Sequence, residues 1–173
     1  QDSSSAASDV YKRQAGYRLK LGKSNHLQYG PFAGTAQERA DDINEMFSDP
    51  EIDAIFCARG GYGANKVLPL IDYENIRSNP KIFLGFSEIT AYLTSITQKT
   101  DLVTFHGPML SSFRNEFVQY NYDSMVNMLE LSSKVTISCP EDISSRILRP
   151  GICEGQIWGG NLTLITNRLG SSD

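Results

Sequence analysis

Lys81-Ile82-Phe83-Leu84-Gly85-Phe86-Ser87-Glu88-Ile89-Thr90 is the segment that decides the fold class. An apolar run stops abruptly at a small polar triplet, and helical spacing begins just beyond it. This is how a strand delivers a serine onto a tight turn at the edge of a sheet. Such a turn holds the hydroxyl exposed while the next backbone N–H groups point into the same space. A serine attacks well only when held rigidly beside a base and an oxyanion site, so the pattern reads as a strand–turn–helix nucleophile elbow.

Elements on either side extend the same grammar. Upstream, Thr35-Ala36-Gln37-Glu38 fits a capping box with Thr35 as N-cap. Ala36, Ala40, Ile43 and Phe47 then keep helical spacing up to Asp49-Pro50. Residues 53–58 (DAIFCA) read as a buried parallel strand, followed by the glycine-rich loop Arg59-Gly60-Gly61-Tyr62-Gly63. Short helices are expected near 64–68 and 72–77. Downstream, residues 89–98 form a helix with Ile89, Leu93 and Ile96 on one face. Residues 102–105 form a third strand that ends at His106-Gly107-Pro108-Met109. An amphipathic helix is expected over 122–131. Beyond it, 135–139, 147–148 and 152–158 are short and β-like, and a last helix begins at Leu162 after Gly159-Gly160-Asn161.

Strand and helix alternate up to about residue 131, which predicts an α/β fold with an open parallel sheet flanked by helices. The expected organisation has three parts: a polar, Ser-rich tail over 1–14 that is non-native or disordered, an α/β domain over 15–133, and a linker with the start of a β-rich second domain over 134–173. Both chain ends are abrupt, as in a fragment of something longer.

Composition narrows the functional classes. An apolar fraction of 40% suffices for a core, and a net charge of −4 with scattered Lys and Arg gives nucleic-acid binding no electrostatic support. No apolar stretch approaches the roughly 20 residues of a membrane span. Cys57, Cys139 and Cys153 are an odd count without a CxxC, and Cys57 and Cys139 lie in strand-like runs. Cys57 and Cys139 read as reduced, buried thiols of a cytoplasmic protein, while Cys153 adjoins the Glu154 motif and its reading stays open. Two histidines far apart, His26 and His106, offer no zinc-ligand spacing, and no cofactor is expected.

Three glycine-containing motifs follow the three strands: Arg59–Gly63, Gly85–Glu88 and His106–Met109. Open α/β sheets bind ligands at the carboxyl ends of their strands, so the three point to one pocket. Each alone has an ordinary reading. The glycines of the first permit positive φ in a turn, Ser87 can be a helix N-cap, and His106 a hydrogen-bonded core histidine. The glycine loop lacks the third glycine of a dinucleotide fingerprint, and Gly85-Phe86-Ser87-Glu88-Ile89 lacks the second glycine of G-x-S-x-G. A fourth motif, Gly151 to Leu162, surrounds Glu154 with glycines. Glu154 is either a solvated hairpin residue or the carboxylate that orients a histidine.

In order and spacing the four motifs resemble the LD-carboxypeptidase family of serine peptidases, which includes the microcin C immunity peptidases. The resemblance runs from about Gly30 to Leu164. It implies Ser87 as nucleophile, Glu154 as the triad carboxylate, and an oxyanion hole from the backbone N–H groups of Gly61 and Glu88. It also implies a pocket lined by Arg59, Gly60 and His106, with Arg59 available to a substrate carboxylate. Family members commonly carry Asp after the serine. Because the hole uses backbone, Glu88 in its place is expected to matter little.

The resemblance further implies a substrate with an L,D amide, the terminal D-alanine of a murein tetrapeptide in cytoplasmic peptidoglycan recycling. The alternative within the family is an aminoacyl- or peptidyl-adenylate amide. A homodimer is the family's usual form. The family's general base is a histidine well downstream of the Glu154 motif, and its first strand precedes Ala15, so this chain is expected to be inactive alone. A reading from another class makes the same pocket a small-peptide or nucleotide binding module without turnover.

Overall fold

In a computed structural model, residues 16–113, 118–130, 135–137, 139–140, 143–144 and 146–171 are described. The tail expected over 1–14 lies outside these residues. Three strands, β1 (Ala54–Phe56), β2 (Ile82–Gly85) and β3 (Phe105–His106), form one parallel sheet in the order β1-β2-β3. Ala54 is in register with Ile82, and Gly85 with His106. The elbow strand is therefore central, and the chain ends of its two neighbours flank Ser87.

The helices form where local chemistry favours them. Helix α1 (Ala36–Ser48) opens on the expected capping box: Thr35 accepts from the Glu38 N–H, and Glu38 accepts from the Thr35 N–H. Helix α2 (Tyr73–Ser78) is capped by Asp72, whose carboxylate accepts from the Asn75 N–H. Helix α3 (Thr90–Thr100) follows a 3₁₀ turn at Ser87–Ile89. Helices α4 (Gln119–Glu130) and α5 (Leu162–Asn167) complete the set.

The core centres on Phe83 of β2, which is fully buried. Its ring stacks on Phe47 of α1 at 5.9 Å between centroids and meets Tyr92 of α3 at 6.4 Å. One side chain thus joins sheet and two helices. Truncating such a phenylalanine to alanine typically costs about 3–5 kcal/mol.

Helix α3 departs from the expected one-sided pattern. Besides Leu93 and Ile96, the polar Thr94 and Ser95 are buried. The reason is α5, which packs along the polar side of α3. Arg168, just past α5, donates to Ala91 O at 2.6 Å and to Thr94 Oγ1 at 2.7 Å, and its other Nη donates to Ser95 Oγ. A polar helix face can be buried when its groups are hydrogen-bonded in this way.

Strand β3 lies later than the expected 102–105. Thr97 Oγ1 donates to Leu102 O at 2.9 Å, and Thr104 Oγ1 donates to Leu93 O at 3.2 Å. Residues 102–104 are held to the helix through the Thr97 hydroxyl and the Leu93 carbonyl, and the chain joins the sheet only at Phe105.

The chain divides into two compact units: the described residues of Gln1–Phe117 with those of Gly159–Asp173, and those of Val118–Trp158. Helix α5 belongs with the first, whereas the sequence reading grouped its residues with 134–173. In the second unit α4 is a helix, as expected, but none of its described residues forms a strand, although 135–139, 147–148 and 152–158 read as β-like. Ile147, Leu148, Ile152 and Ile157 are exposed there. A strand exists only through a hydrogen-bonded partner, and β propensity alone supplies none.

The cysteines also differ from expectation. Cys57 is half-buried, and the desolvation of its thiol pushes it up to about 12. Cys139 is exposed, as is Cys153. The run around Cys139 builds no strand among its described residues, so nothing carries that thiol inward.

Candidate active site

Ser87 has φ +59°, a left-handed conformation rare for a residue with a Cβ. Strain of this kind costs roughly 1–3 kcal/mol and persists only where surrounding structure imposes it. Here the imposition is visible. Phe86 before it is fully extended, and the 3₁₀ turn begins at Ser87 itself. Gly85 makes the turn possible, because a Cβ there would stand 2.7 Å from Ile89 Cγ2. The expected elbow is present, and Ser87 stands partly exposed at its tip.

The glycine loop presses on this serine. A Cβ on Gly60 would lie 3.2 Å from Ser87 Cβ and 3.4 Å from Ser87 Oγ, with Met109 Cε at 3.5 Å. Gly61 and Gly63 have φ of +153° and +101°. The third motif closes the group: the Ser111 N–H donates to Ala58 O at 3.0 Å, and the Gly107 N–H to Gly85 O at 3.2 Å. The three strand-end motifs therefore converge, as the sheet rule requires. Met109, buried beneath the loop, was not singled out in the sequence; its only signal was an apolar residue closing a polar motif.

Glu88 does more than continue the turn. The Ala64 N–H, at the far end of the glycine loop, donates to Glu88 Oε1 at 2.7 Å. Glu88 Oε2 would stand 3.7 Å from a Cβ on Gly61. No spacing signal announces this bond, which joins residues 24 apart.

His106 is exposed on β3, and its ring meets Phe86 edge-on at 6.3 Å. Among the described residues no side chain hydrogen-bonds Ser87 Oγ, His106 included. Arg59 is exposed at the head of the loop. Burial is the main cause pushing the Tyr92 hydroxyl up; the Glu88 carboxylate adds to it and Arg39 opposes it. That phenol stays protonated and offers no base. Beside Phe32, Tyr62 stacks at 6.4 Å while remaining 80% exposed, so an aromatic surface borders the loop.

The Gly159-Gly160-Asn161 motif lies against the helix that starts behind Ser87. The Asn161 N–H donates to Thr90 Oγ1 at 2.9 Å, and Asn161 Oδ1 caps α5 by accepting from the Leu164 N–H at 3.2 Å. Glu154 belongs to the second unit, on an exposed segment without regular secondary structure.

Residues 2–107 match the family described as LD-carboxypeptidase N-terminal domain, Peptidase_S66. The chain belongs to the LD-carboxypeptidase family. It is 40% identical over 168 residues to a protein of Bacillus subtilis named "Probable murein peptide carboxypeptidase", covering 94% of this chain and 51% of the relative. To the microcin C7 self-immunity protein MccF of Escherichia coli it is 34% identical, covering 93% of this chain and 54% of the relative. The solved structure of MccF in complex with aspartyl sulfamoyl adenosine superposes with a TM-score of 0.82 at 32% identity. It spans 95% of this chain and 57% of that one. The chain thus spans about half the length of the curated relatives it matches. The match to the family's N-terminal domain takes in all three strands of the parallel sheet and the elbow at Ser87.

Proposed function

We propose that the full-length protein is a serine-type LD-carboxypeptidase that releases the terminal D-alanine of a murein tetrapeptide. One observation carries this reading: Ser87 is strained to φ +59° at the tip of the elbow, with Gly60 packed against its side chain. Strain that is structurally over-determined at a strand end is a feature of sites, not of caps.

The chemistry follows from the residues. Ser87 Oγ attacks the carbonyl carbon of the L,D amide and its proton passes to a histidine, which the family resemblance puts downstream of the Glu154 motif. The oxygen of the tetrahedral adduct gains negative charge and is met by the Gly61 and Glu88 N–H groups. Each such donor is worth about 10²–10³ in rate. The C–N bond then breaks, the histidine returns its proton to the departing amine, and D-alanine leaves. Water attacks the acyl-serine, the histidine takes its proton, and the C–Oγ bond breaks as Ser87 is reprotonated. Glu154 orients the histidine. Arg59, exposed at the head of the glycine loop, holds the substrate's terminal carboxylate, and Gly60 and His106 line the site. Without the histidine, the 173-residue chain alone turns over negligibly.

The relation to MccF favours a second substrate, an aminoacyl- or peptidyl-adenylate amide cleaved by the same Ser87. We place the protein in the cytoplasm as a homodimer, by family resemblance. Among the described residues no helix is long and apolar enough to cross a membrane.

Reaction of a fluorophosphonate probe at Ser87 of the full-length protein, with release of D-alanine from murein tetrapeptide, is the expected result. Saturable peptide or nucleotide binding without labelling would make the site a binding module instead.

A further inference from the structure

The oxyanion hole proposed above is made of two backbone donors on separate segments. Gly61 sits in a glycine loop whose own backbone has little preference for any one conformation. Glu88 sits on the elbow. For both N–H groups to meet one oxygen, the loop must be fixed relative to the elbow to within a fraction of an ångström, since misplacement by about 1 Å can cost about 10²-fold in rate.

The loop is pinned at its head and its tail. At its head the Ser111 N–H donates to Ala58 O at 3.0 Å. At its tail the Ala64 N–H donates to Glu88 Oε1 at 2.7 Å, a charge-assisted bond of near-optimal length. Only the tail pin originates on the elbow. Gly63 is held in addition by Phe32, which a Cβ on that glycine would approach to 2.9 Å. Phe32, however, lies on neither the elbow nor the loop.

We infer that the Glu88 side chain is a positioning residue: its carboxylate ties the Gly61-bearing loop to the nucleophile elbow, so that one residue offers an oxyanion donor from its backbone and sets the place of the other donor through its side chain. This rests on the hydrolase reading for its catalytic consequence, but the tether itself stands on the Glu88–Ala64 geometry. It also bears on the expectation that Glu88 in place of the family's usual Asp matters little, because the side chain has a task of its own. A side chain that reaches Ala64 with an acceptor is required, and one without an acceptor removes the bond that ties the loop's tail to the elbow.

The test compares Glu88→Ala and Glu88→Gln with the parent in the full-length protein. Hydrogen exchange at the Ala64 amide reads the tether directly, and kcat and KM for D-alanine release from murein tetrapeptide read its consequence. In Glu88→Ala the Ala64 amide exchanges about tenfold faster or more, as loss of a hydrogen bond worth roughly 1.4 kcal/mol requires. Its kcat falls about 10- to 100-fold while KM stays within about twofold, because an oxyanion donor acts on the transition state and not on bound substrate. Glu88→Gln retains an acceptor and recovers most of both.

Unchanged exchange at Ala64 in Glu88→Ala overturns the inference. So does an equal kcat loss in the two variants, which would assign the effect to charge and not to the tether. Should the parent neither label at Ser87 nor release D-alanine, the hydrolase reading fails by itself, and the exchange rates still decide the tether.

Discussion

Gly160 lies directly on Thr90: a Cβ on that glycine would stand 2.5 Å from Thr90 Cγ2 and 2.6 Å from Thr90 Oγ1, and the next residue's N–H donates to the same hydroxyl at 2.9 Å. Thr90 opens the helix behind Ser87 and is fully buried. A contact between residues 71 apart along the chain thus seats the Gly159–Asn161 motif on the elbow's own helix. With φ +142°, Gly160 also occupies backbone space that L residues avoid. Gly160→Ala is expected to lower unfolding free energy by about 1–3 kcal/mol through strain and clash together. Chemical denaturation measures this, and a loss below about 0.5 kcal/mol would mean that the motif is not seated there.

Ser87 separates stability from activity. Ser87→Ala keeps the Cβ and therefore the strain, so its stability should match the parent within about 0.5 kcal/mol, while full-length activity falls by about 10⁴-fold or more. Ser87→Gly relieves roughly 1–2 kcal/mol of left-handed strain against about 0.5–1 kcal/mol for the added freedom of the unfolded chain, a net gain of up to about 1 kcal/mol. Equal stability loss in both variants would show that the serine is held by side-chain contacts, and the strain argument would fall.

The capping box of α1 gives a pH signature. Hydrogen bonds from the Thr35 backbone first, then from its hydroxyl, hold the Glu38 carboxyl below its ordinary value of 4.5. A depressed folded value means that the contribution is fully present above the unfolded pKa and fades as pH falls through the folded one. Between neutral pH and about 5 the parent and Glu38→Gln should therefore differ by a constant amount in Tm; below about 4.5 the difference should shrink. A gap that stays constant down to pH 3 would remove the carboxylate from the cap.

Thiol reactivity follows burial. Cys57 has its thiol pushed up to about 12 by desolvation, whereas Cys139 and Cys153 are exposed. A disulfide-exchange reagent at pH 8 should titrate two thiols of the native chain quickly and the third only on unfolding, since the thiolate is the reacting form. Fast modification of Cys57 in the native state would contradict its placement.

Carboxylate Glu154 is tested in the complete protein. If it orients the histidine, Glu154→Gln lowers kcat by about 10²-fold or more and leaves fluorophosphonate labelling of Ser87 slowed in proportion. Unaltered kcat would return Glu154 to the role of a solvated loop residue.

Much of this architecture was legible before any coordinates. The Thr35 capping box, the Asp49-Pro50 stop and the apolar run ending at Gly85 are interactions between residues a few positions apart, and near neighbours are what spacing encodes. The convergence of Arg59–Gly63, Gly85–Glu88 and His106–Met109 was legible too, because parallel strands put their carboxyl ends on one side. The β-like reading of 135–139, 147–148 and 152–158 found no strand among the described residues for the opposite reason: apolar alternation signals a strand only where a partner edge is available.

What residue order alone settled is the elbow, the Thr35 capping box and the glycines around the elbow, since each depends on local backbone chemistry. The folded chain alone decided that Glu88 reaches Ala64, that Thr90 receives Asn161, and that Arg168 buries itself against Ala91, Thr94 and Ser95. These bonds join residues from 24 to 77 positions apart, and only the packing of sheet and helices brings such groups within 3 Å.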